Sequence, residues 1–322
     1  MSLTVEHVNK WFGSFQAIKD LSMDVREGII FGFVGPNGAG KTTTMRMILD
    51  LLRPDSGQIS WDDAPVSAVP RRELGYLPEE RGLYPRMEVQ EQLLFLARLS
   101  GMSVDDARSA LDEWLERFQI TAYRHKKVEE LSKGNQQKVQ FLAAILHNPA
   151  LLIMDEPFSG LDPVNAAALK EAFLEMRQRG KTIIFSTHQL EQVEELCEDM
   201  LLINKGQAMV QGNVQAIKRQ HGRNTVRLTL DNDPEALWLD TLDGVTVTKR
   251  RQDYVEMQFQ AHLNPNVIVE AALQHGGSIS RFEVVEPSLT DIFIEVVGAT
   301  ALPDAPAPGA DEPVSGTAQK SG

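Results

Sequence analysis

The chemistry-bearing residues fall in three places along the 322-residue chain. The first is Gly35-Pro36-Asn37-Gly38-Ala39-Gly40-Lys41-Thr42-Thr43, which fits the pattern G-x-x-x-x-G-K-[ST]. Successive backbone N–H groups in such a turn curl around an anion, and a helix N-terminus behind them adds roughly half a positive charge. Gly35, Gly38 and Gly40 let the backbone approach oxygen with no Cβ in the way. Lys41 is expected to reach the β- and γ-phosphates of a nucleotide, and Thr42 to offer its hydroxyl to Mg²⁺. The second place is Leu151-Leu152-Ile153-Met154-Asp155-Glu156-Pro157, an apolar run that ends in two acids and a proline. Asp155 is placed to hold Mg²⁺ through water, and Glu156, facing elsewhere, can orient or deprotonate an attacking water. The third is Ser186-Thr187-His188, delivered at the end of a buried strand from Thr182 to Phe185, where His188 can bond the γ-phosphate or that water. Alone, an Asp at a strand end is often a turn cap and a single His is usually structural. Behind a phosphate loop, in this order, the chemical readings outweigh those.

Elements of the right kind surround these residues. Ile29 to Val34 is an apolar run of strand length, and Thr44 to Leu52 has helical spacing, so the loop sits between strand and helix. Leu3 to Val8 and Phe15 to Val25 read as earlier strands, with Asn9 to Gly13 between them. An aromatic such as Phe12 packs in a core as a rule, but exposed it could stack on a base. Short strands follow at Gln58 to Trp61 and Glu73 to Leu77, then a two-proline loop, Leu77 to Pro85. From Val89 to Leu146 the pattern is helical and reads as an insertion, with Ser132 a fair N-cap for its last helix. Ser159-Gly160-Leu161-Asp162-Pro163 opens a long amphipathic helix to about Arg179, and a helix from Gln189 to Cys197 and strands near Met200 to Asn204 and Gln207 to Val210 complete the unit. Strands in such α/β folds present chemistry at their C-terminal ends.

From about Gly222 the texture changes. Thr225 to Leu230, Val245 to Lys249, Tyr254 to Phe259 and Ile279 to Val285 alternate like half-buried strands, with helices at Asn266 to Gln274 and Ser288 to Val297. The expected division is residues 1–220, an α/β nucleotide-binding domain with a helical subdomain at about 86–148; residues 222–300, a small α+β accessory domain; and residues 301–322, a disordered tail rich in Pro, Ala, Gly and Ser.

The totals narrow the partners. The net charge of -13 repels phosphate backbones, so nucleic acid is not expected as a partner. Its single cysteine, Cys197, cannot form an internal disulfide, and no Cys/His cluster suggests zinc. No signal-peptide pattern opens the sequence, and no apolar run approaches the ~20 residues that span a bilayer. A role at a membrane would therefore run through a partner.

Together these residues resemble the ATPase subunits of bacterial ATP-binding cassette (ABC) transporters. Gly35 to Thr43 matches that family's Walker A, Leu151 to Glu156 its Walker B, Ser159 to Asp162 its D-loop and His188 its switch histidine. Leu131-Ser132-Lys133-Gly134-Asn135-Gln136 resembles the signature L-S-G-G-Q, with Lys133 and Asn135 replacing Gly and Gln. Phe12 falls where the family places its adenine-stacking aromatic. Glu79 falls where a Q-loop glutamine is usual and where Mg²⁺ or water is bound; it adds a negative charge there. Leu77 to Tyr84 and the later Glu286-Pro287-Ser288-Leu289-Thr290-Asp291-Ile292-Phe293 look like the sodium-efflux and ABC-2-type exporter branch.

The resemblance implies a P-loop NTPase fold with a RecA-like core, an antiparallel β subdomain and a helical subdomain. It implies ATP and Mg²⁺ as ligands and Glu156 and His188 as catalytic residues. Ser132, Lys133, Gly134 and Asn135 would contact ATP bound by a second subunit, in a homodimer or pseudo-dimer. An integral-membrane permease would be the transport partner, at the cytoplasmic face of the inner membrane. Two other readings are a soluble ABC ATPase acting on ribosomes or DNA, and a weakly hydrolysing nucleotide-dependent regulator. Paired cassettes, a long coiled coil or zinc clusters would favour the first and are not in the sequence; Glu156 and His188 argue against the second.

Overall fold

A computed structural model describes residues 2–80, 82–222, 225–260, 263–285 and 287–298. The expected tail at 301–322, Arg81 of the two-proline loop and Glu286 lie outside the described residues.

The chain starts with an antiparallel hairpin, β1 (Leu3–Phe12) and β2 (Phe15–Val25), whose buried and open positions largely alternate as a sheet with one covered face requires. Next come β3 (Ile30–Val34), α1 (Lys41–Ile48), β4 (Ser56–Trp61), β5 (Ala64–Pro65) and β6 (Leu74–Leu77). The helical segment comprises α2 (Val89–Leu99), α3 (Val104–Arg117) and α4 (Lys133–Ile145). The core resumes with β7 (Leu151–Asp155), α5 (Pro163–Gln178), β8 (Thr182–Thr187), α6 (Leu190–Leu196), β9 (Asp199–Asn204), β10 (Gln207–Asn213) and α7 (Val214–Gly222). The last part holds β11 (Thr225–Leu230), β12 (Val245–Arg250), β13 (Val255–Phe259), α8 (Asn266–Gln274), β14 (Ile279–Val284) and α9 (Leu289–Val297).

Three sheets result. The central one runs β10-β9-β3-β8-β7-β6, parallel except for β10; β2-β1-β4-β5 and β12-β13-β11-β14 are antiparallel. β3, β7 and β8 are buried at every position, which is why their middles are apolar runs, with polar residues only toward the strand ends: Asp155 in β7 and Thr182, Ser186 and Thr187 in β8. Alternate residues of β3 feed two cores. Phe31 and Phe33 face the β1–β2 sheet and α1, whereas Ile30 and Val34 face the helices. Gly32 lies between them because a Cβ there would come 2.9 Å from Val193 of α6. On the helical side Phe141 of α4 stacks on Phe173 of α5 at 5.8 Å, and Phe173 meets Phe185 of β8 edge-on at 5.7 Å. Each such buried ring contributes about 1.5–3 kcal/mol, and together they fix the insertion to the central sheet.

Several expectations are refined. The Asn9 to Gly13 link is mostly strand: β1 continues to Phe12 through register shifts, with His7 in the left-handed region at φ 50°. The helical stretch from Val89 is broken where Gly101 takes φ 94° and Ser103 caps α3. Ser186 and Thr187 belong to β8 itself, and α7 was not read from the sequence. The β11–β14 sheet has its own core under α8, but α9 does not join it. Leu289, Ile292 and Phe293 pack instead with Leu190, Val193 and Leu196 in the helix-side core of the first unit. The last helix thus crosses the division expected at residue 222. Among the described residues no helix is long and apolar enough to cross a membrane.

Candidate functional site

The loop after β3 is shaped by contacts that only glycine allows. A Cβ on Gly35 would lie 2.2 Å from the Ile203 carbonyl oxygen, and Gly40 takes φ 111° immediately before α1. Helix α1 therefore starts at Lys41, its N-terminus open toward the loop. Lys41 is 6% exposed. Its Nζ donates to the Gly35 carbonyl at 2.6 Å and the Pro36 carbonyl at 3.3 Å, and stands 3.6 Å from Glu156 Oε1.

The ends of β7 and β8 carry the acids and the histidine. Asp155 accepts a hydrogen bond from Ser186 Oγ on the neighbouring strand, while its Oδ2 is buried with no hydrogen-bond partner among the described residues. Glu156 is 9% exposed and holds the left-handed backbone at φ 48°, uncommon for a residue with a Cβ. Its N–H donates to the Ser186 carbonyl and Oγ, at 3.2 and 3.0 Å. That pins the turn and aims its carboxylate away from Asp155's, toward Lys41 and His188. His188 Nδ1 lies 3.0 Å from Oε1 and 3.1 Å from Oε2. With its proton on Nδ1 the ring donates to the carboxylate, leaving Nε2 free to face a ligand.

A cavity of about 400 Å³ brings Lys41, Asp155 and Glu156 together, while His188 stands behind Glu156 and does not line it. Asn37, Gly38, Gly40, Lys41, Thr42 and Thr43 form its floor; Glu79, Asp155 and Glu156 line one end, and Phe12, Phe15 and Ala17 line the other. Phe12 is not a core residue: its ring is 51% exposed at the tip of the hairpin. Sequence reasoning missed the roles of three residues here. Phe15 faces the cavity next to Phe12. Ser186 was placed at the strand end beside His188, but its role was not read: its Oγ bonds Asp155 and accepts from the Glu156 N–H. Tyr76, half-buried, has its phenol pKa pushed up first by burial and then by the Asp155 charge, so it stays neutral near pH 7.

The family signature lies elsewhere. Ser132 caps α4 by accepting from Asn135 N–H, and Lys133, Gly134 and Asn135 form the first turn. None of them is among the residues lining the cavity. A Cβ on Gly134 would lie 2.3 Å from Asn165 Nδ2, which in turn donates to Asp162 at 2.5 Å. Asp162 caps α5, accepting from the Val164 and Asn165 N–H groups at 3.1 and 3.0 Å. The Asn165 N–H above all, then its side chain, holds the Asp162 carboxyl below the usual carboxylate range.

The donors suit a hard cation. Thr42, Glu79 and Asp155 offer oxygen only, and the orphaned Asp155 Oδ2 is the atom a metal-bound water would satisfy. No group of three or more His, Cys, Asp or Glu among the described residues forms a cage by itself. This fits Mg²⁺, which takes one or two carboxylates plus substrate phosphates.

Known proteins place this geometry. The family described as "ABC transporter" matches residues 18–159, and "ATP-binding protein DrrA1-3-like, C-terminal domain" matches residues 212–297. The ABC transporter ATP-binding protein YhaQ of Bacillus subtilis (strain 168) is 51% identical over 297 residues, covering 92% of this chain and 99% of the relative. Nod factor export ATP-binding protein I of Burkholderia orbicola (strain AU 1054) is 35% identical over 235 residues, 72% of this chain and 77% of the relative. Among solved structures, an ATP-binding subunit of an ABC transporter superposes with a TM-score of 0.65 at 32% identity, covering 69% of this chain and 94% of that one. The fold is that of an ATP-binding cassette. On this ground the chain belongs to the ATP-binding proteins of ABC transporters and is an ATPase of that family.

Proposed function

We propose that two copies of this chain, or this chain and a close relative, close over ATP and Mg²⁺ and so energise export through a separate membrane-spanning permease. The observation that carries the reading is a separation. The phosphate loop, Asp155 and Glu156 share one cavity, while Ser132 to Asn135 open α4 outside it. A signature that does not line its own site is available to a second subunit's site, where its helix N-terminus would face the γ-phosphate. In that closed pair Phe12 stacks on the base and the N–H groups of Gly35 to Thr43 hold the phosphates. Lys41 leaves its loop carbonyls for the β- and γ-phosphates.

Glu156 takes a proton from, or orients, the attacking water, and His188 holds Glu156 and the water in register. Thr42 and Asp155, with Glu79 beside them, would hold Mg²⁺, which offsets charge on the phosphates. Glu79 adds an acid to that end, and Lys133, in the signature of the opposing copy, adds a compensating positive charge. Asp162 positions the start of α5 against Asn165 and Gly134 at the same closing surface.

The membrane partner is inferred from the outer face of the helical segment. Tyr84, Phe95 and Leu99 are exposed, and Phe95 and Leu99 are one helical turn apart on α2. Gln140 of α4 donates to the Pro78 carbonyl at 2.8 Å, so the Leu77 to Pro85 loop is tied to the helix that begins with the signature. Motion of the signature helix on ATP binding is thereby passed to a surface with apolar side chains to offer. The likeness to the Nod factor export ATP-binding protein supports an outward direction, and the chain would then sit on the cytoplasmic face of the inner membrane. The formal charge of -13 supports a protein rather than a nucleic-acid partner.

The test is Glu156→Gln. Turnover should fall by roughly 10²–10⁴-fold while ATP still binds and dimers accumulate in gel filtration. Turnover at the wild-type rate would remove Glu156 from this role.

A further inference from the structure

We propose that the base lies on two phenyl rings rather than one, and that Phe15 makes the site a general purine-triphosphate site. The inference rests on the nucleotide reading of the cavity. Phe12 and Phe15 are direct cross-strand partners at the end of the β1–β2 hairpin. Residues directly opposite in an antiparallel pair project from the same face, with Cβ atoms about 5 Å apart. Gly13, at the first central position of the turn, takes φ 60°, the backbone a tight two-residue hairpin needs there. Both rings line the cavity, and Phe12 and Phe15, 51% and 65% exposed, form a contiguous apolar patch at the hairpin tip, which marks a binding surface where a lone exposed side chain would not.

The hairpin tip is braced. Lys10 Nζ lies 5.9 Å from the Phe12 ring centroid and is ion-paired with Asp55 at 3.0 Å, and the Trp11 N–H donates to the same carboxylate at 2.6 Å. The Trp11 N–H bond, then Lys10, keeps the Asp55 carboxyl below its usual range. The platform is thus ordered before a ligand arrives.

This arrangement sets specificity by area. The end of the cavity beyond the phosphate loop is made by Phe12, Phe15 and Ala17, side chains without a hydrogen-bonding group. A bicyclic purine is large enough to cover two adjacent rings, whereas a pyrimidine covers one. A hydrophobic pocket does not strongly reject a ligand that differs in a polar substituent, whereas a site built to hydrogen-bond that substituent does. ATP and GTP should therefore bind within about tenfold of each other, and both more tightly than CTP.

The experiment measures dissociation constants of the full chain for ATP, GTP, CTP and inorganic tripolyphosphate, each with Mg²⁺, in wild type, Phe15→Ala and Phe15→Trp. Stacking on an aromatic is lost at a cost of roughly 5- to 150-fold in affinity. Phe15→Ala is expected to lose affinity in that range for ATP and GTP, less for CTP, and to leave tripolyphosphate within about twofold, as a base-side contact requires. Phe15→Trp should keep purine binding. Phe15 is exposed, so its replacement should leave the fold intact, and a thermal melt checks this. Unchanged ATP affinity in Phe15→Ala overturns the proposal. So does an equal loss for tripolyphosphate, which would mean that the hairpin only props the loop, or wild-type preference for ATP over GTP beyond about a hundredfold. Wild-type protein that bound neither ATP nor tripolyphosphate would instead overturn the nucleotide reading itself, and this inference with it.

Discussion

Two buried glutamates, Glu156 after β7 and Glu256 in β13, carry the same functional group at similar depth, 9% and 6% exposed. Their surroundings differ. Glu256 sits in regular strand and also borders a cavity, but its carboxylate is already answered by two cations: Arg227 Nε donates to it at 2.8 Å, Lys249 Nζ stands 3.3 Å away and Thr248 Oγ1 bonds its backbone carbonyl at 3.1 Å. That contact first of all holds the Arg227 pKa above its ordinary value, and the guanidinium also lies over the Tyr254 ring, 4.8 Å from its centroid. Glu156 holds a left-handed backbone, meets a histidine at 3.0 Å and a lysine at 3.6 Å, and stands beside an Asp155 oxygen with no hydrogen-bond partner among the described residues. A carboxylate whose neighbours answer all its needs stabilises a fold. One that holds a strained backbone beside a neighbouring acid's unsatisfied oxygen, at a cavity, is poised for a ligand.

The comparison can be broken by exchanging the two mutations. Glu156→Gln should cost roughly 10²–10⁴-fold in ATP turnover and little in melting temperature; Glu256→Gln should do the reverse. For Glu256→Gln we expect a loss of about 1–2 kcal/mol in a urea melt, below the full cost of breaking a buried pair because Arg227 and Lys249 are partly exposed. Its turnover should stay within about twofold of wild type, as for mutations at distant sites. A collapse of turnover in Glu256→Gln would make the two glutamates alike and refute the distinction.

Gly134→Ala sharpens the picture of the closing surface with a smaller effect. The new methyl must displace Asn165 from Asp162, a flexible side chain, so folding should survive and turnover should fall about tenfold or less. Full turnover would show that this contact plays no part in closure. The smallest effect is expected at Asp162. Its folded pKa lies below the unfolded one, so its cap strengthens the fold above the ordinary carboxylate range and loses that strength as pH falls through the folded value. The melting-temperature gap between wild type and Asp162→Asn should therefore be present at about pH 6 and narrow toward about pH 3. A gap that widened on acidification would reverse the sign.

What was legible in the sequence follows from where each constraint acts. Gly35, Gly40 and Lys41 answer to a turn built from its own backbone, and β7 and β8 are buried on both faces, so pattern and spacing were enough. The β11–β14 sheet was equally visible through its alternation. Phe15 was not, because a strand-end aromatic looks the same whether it meets a core or a cavity. Ser186 and Tyr76 gain their roles only from neighbouring strands, across which no sequence spacing runs. The destination of α9 was hidden for the same reason: its apolar stripe declares that it packs, and only the fold shows that it packs on α6.

The central claim is that one subunit holds the triphosphate and another completes the site. It is tested most directly by ATP hydrolysis per subunit across a dilution series, for wild type and Ser132→Ala. The account predicts that specific activity rises with wild-type concentration and stays near zero for the Ser132 variant at every concentration. Equal specific activity at all concentrations, with the Ser132 variant as fast as wild type, would contradict it.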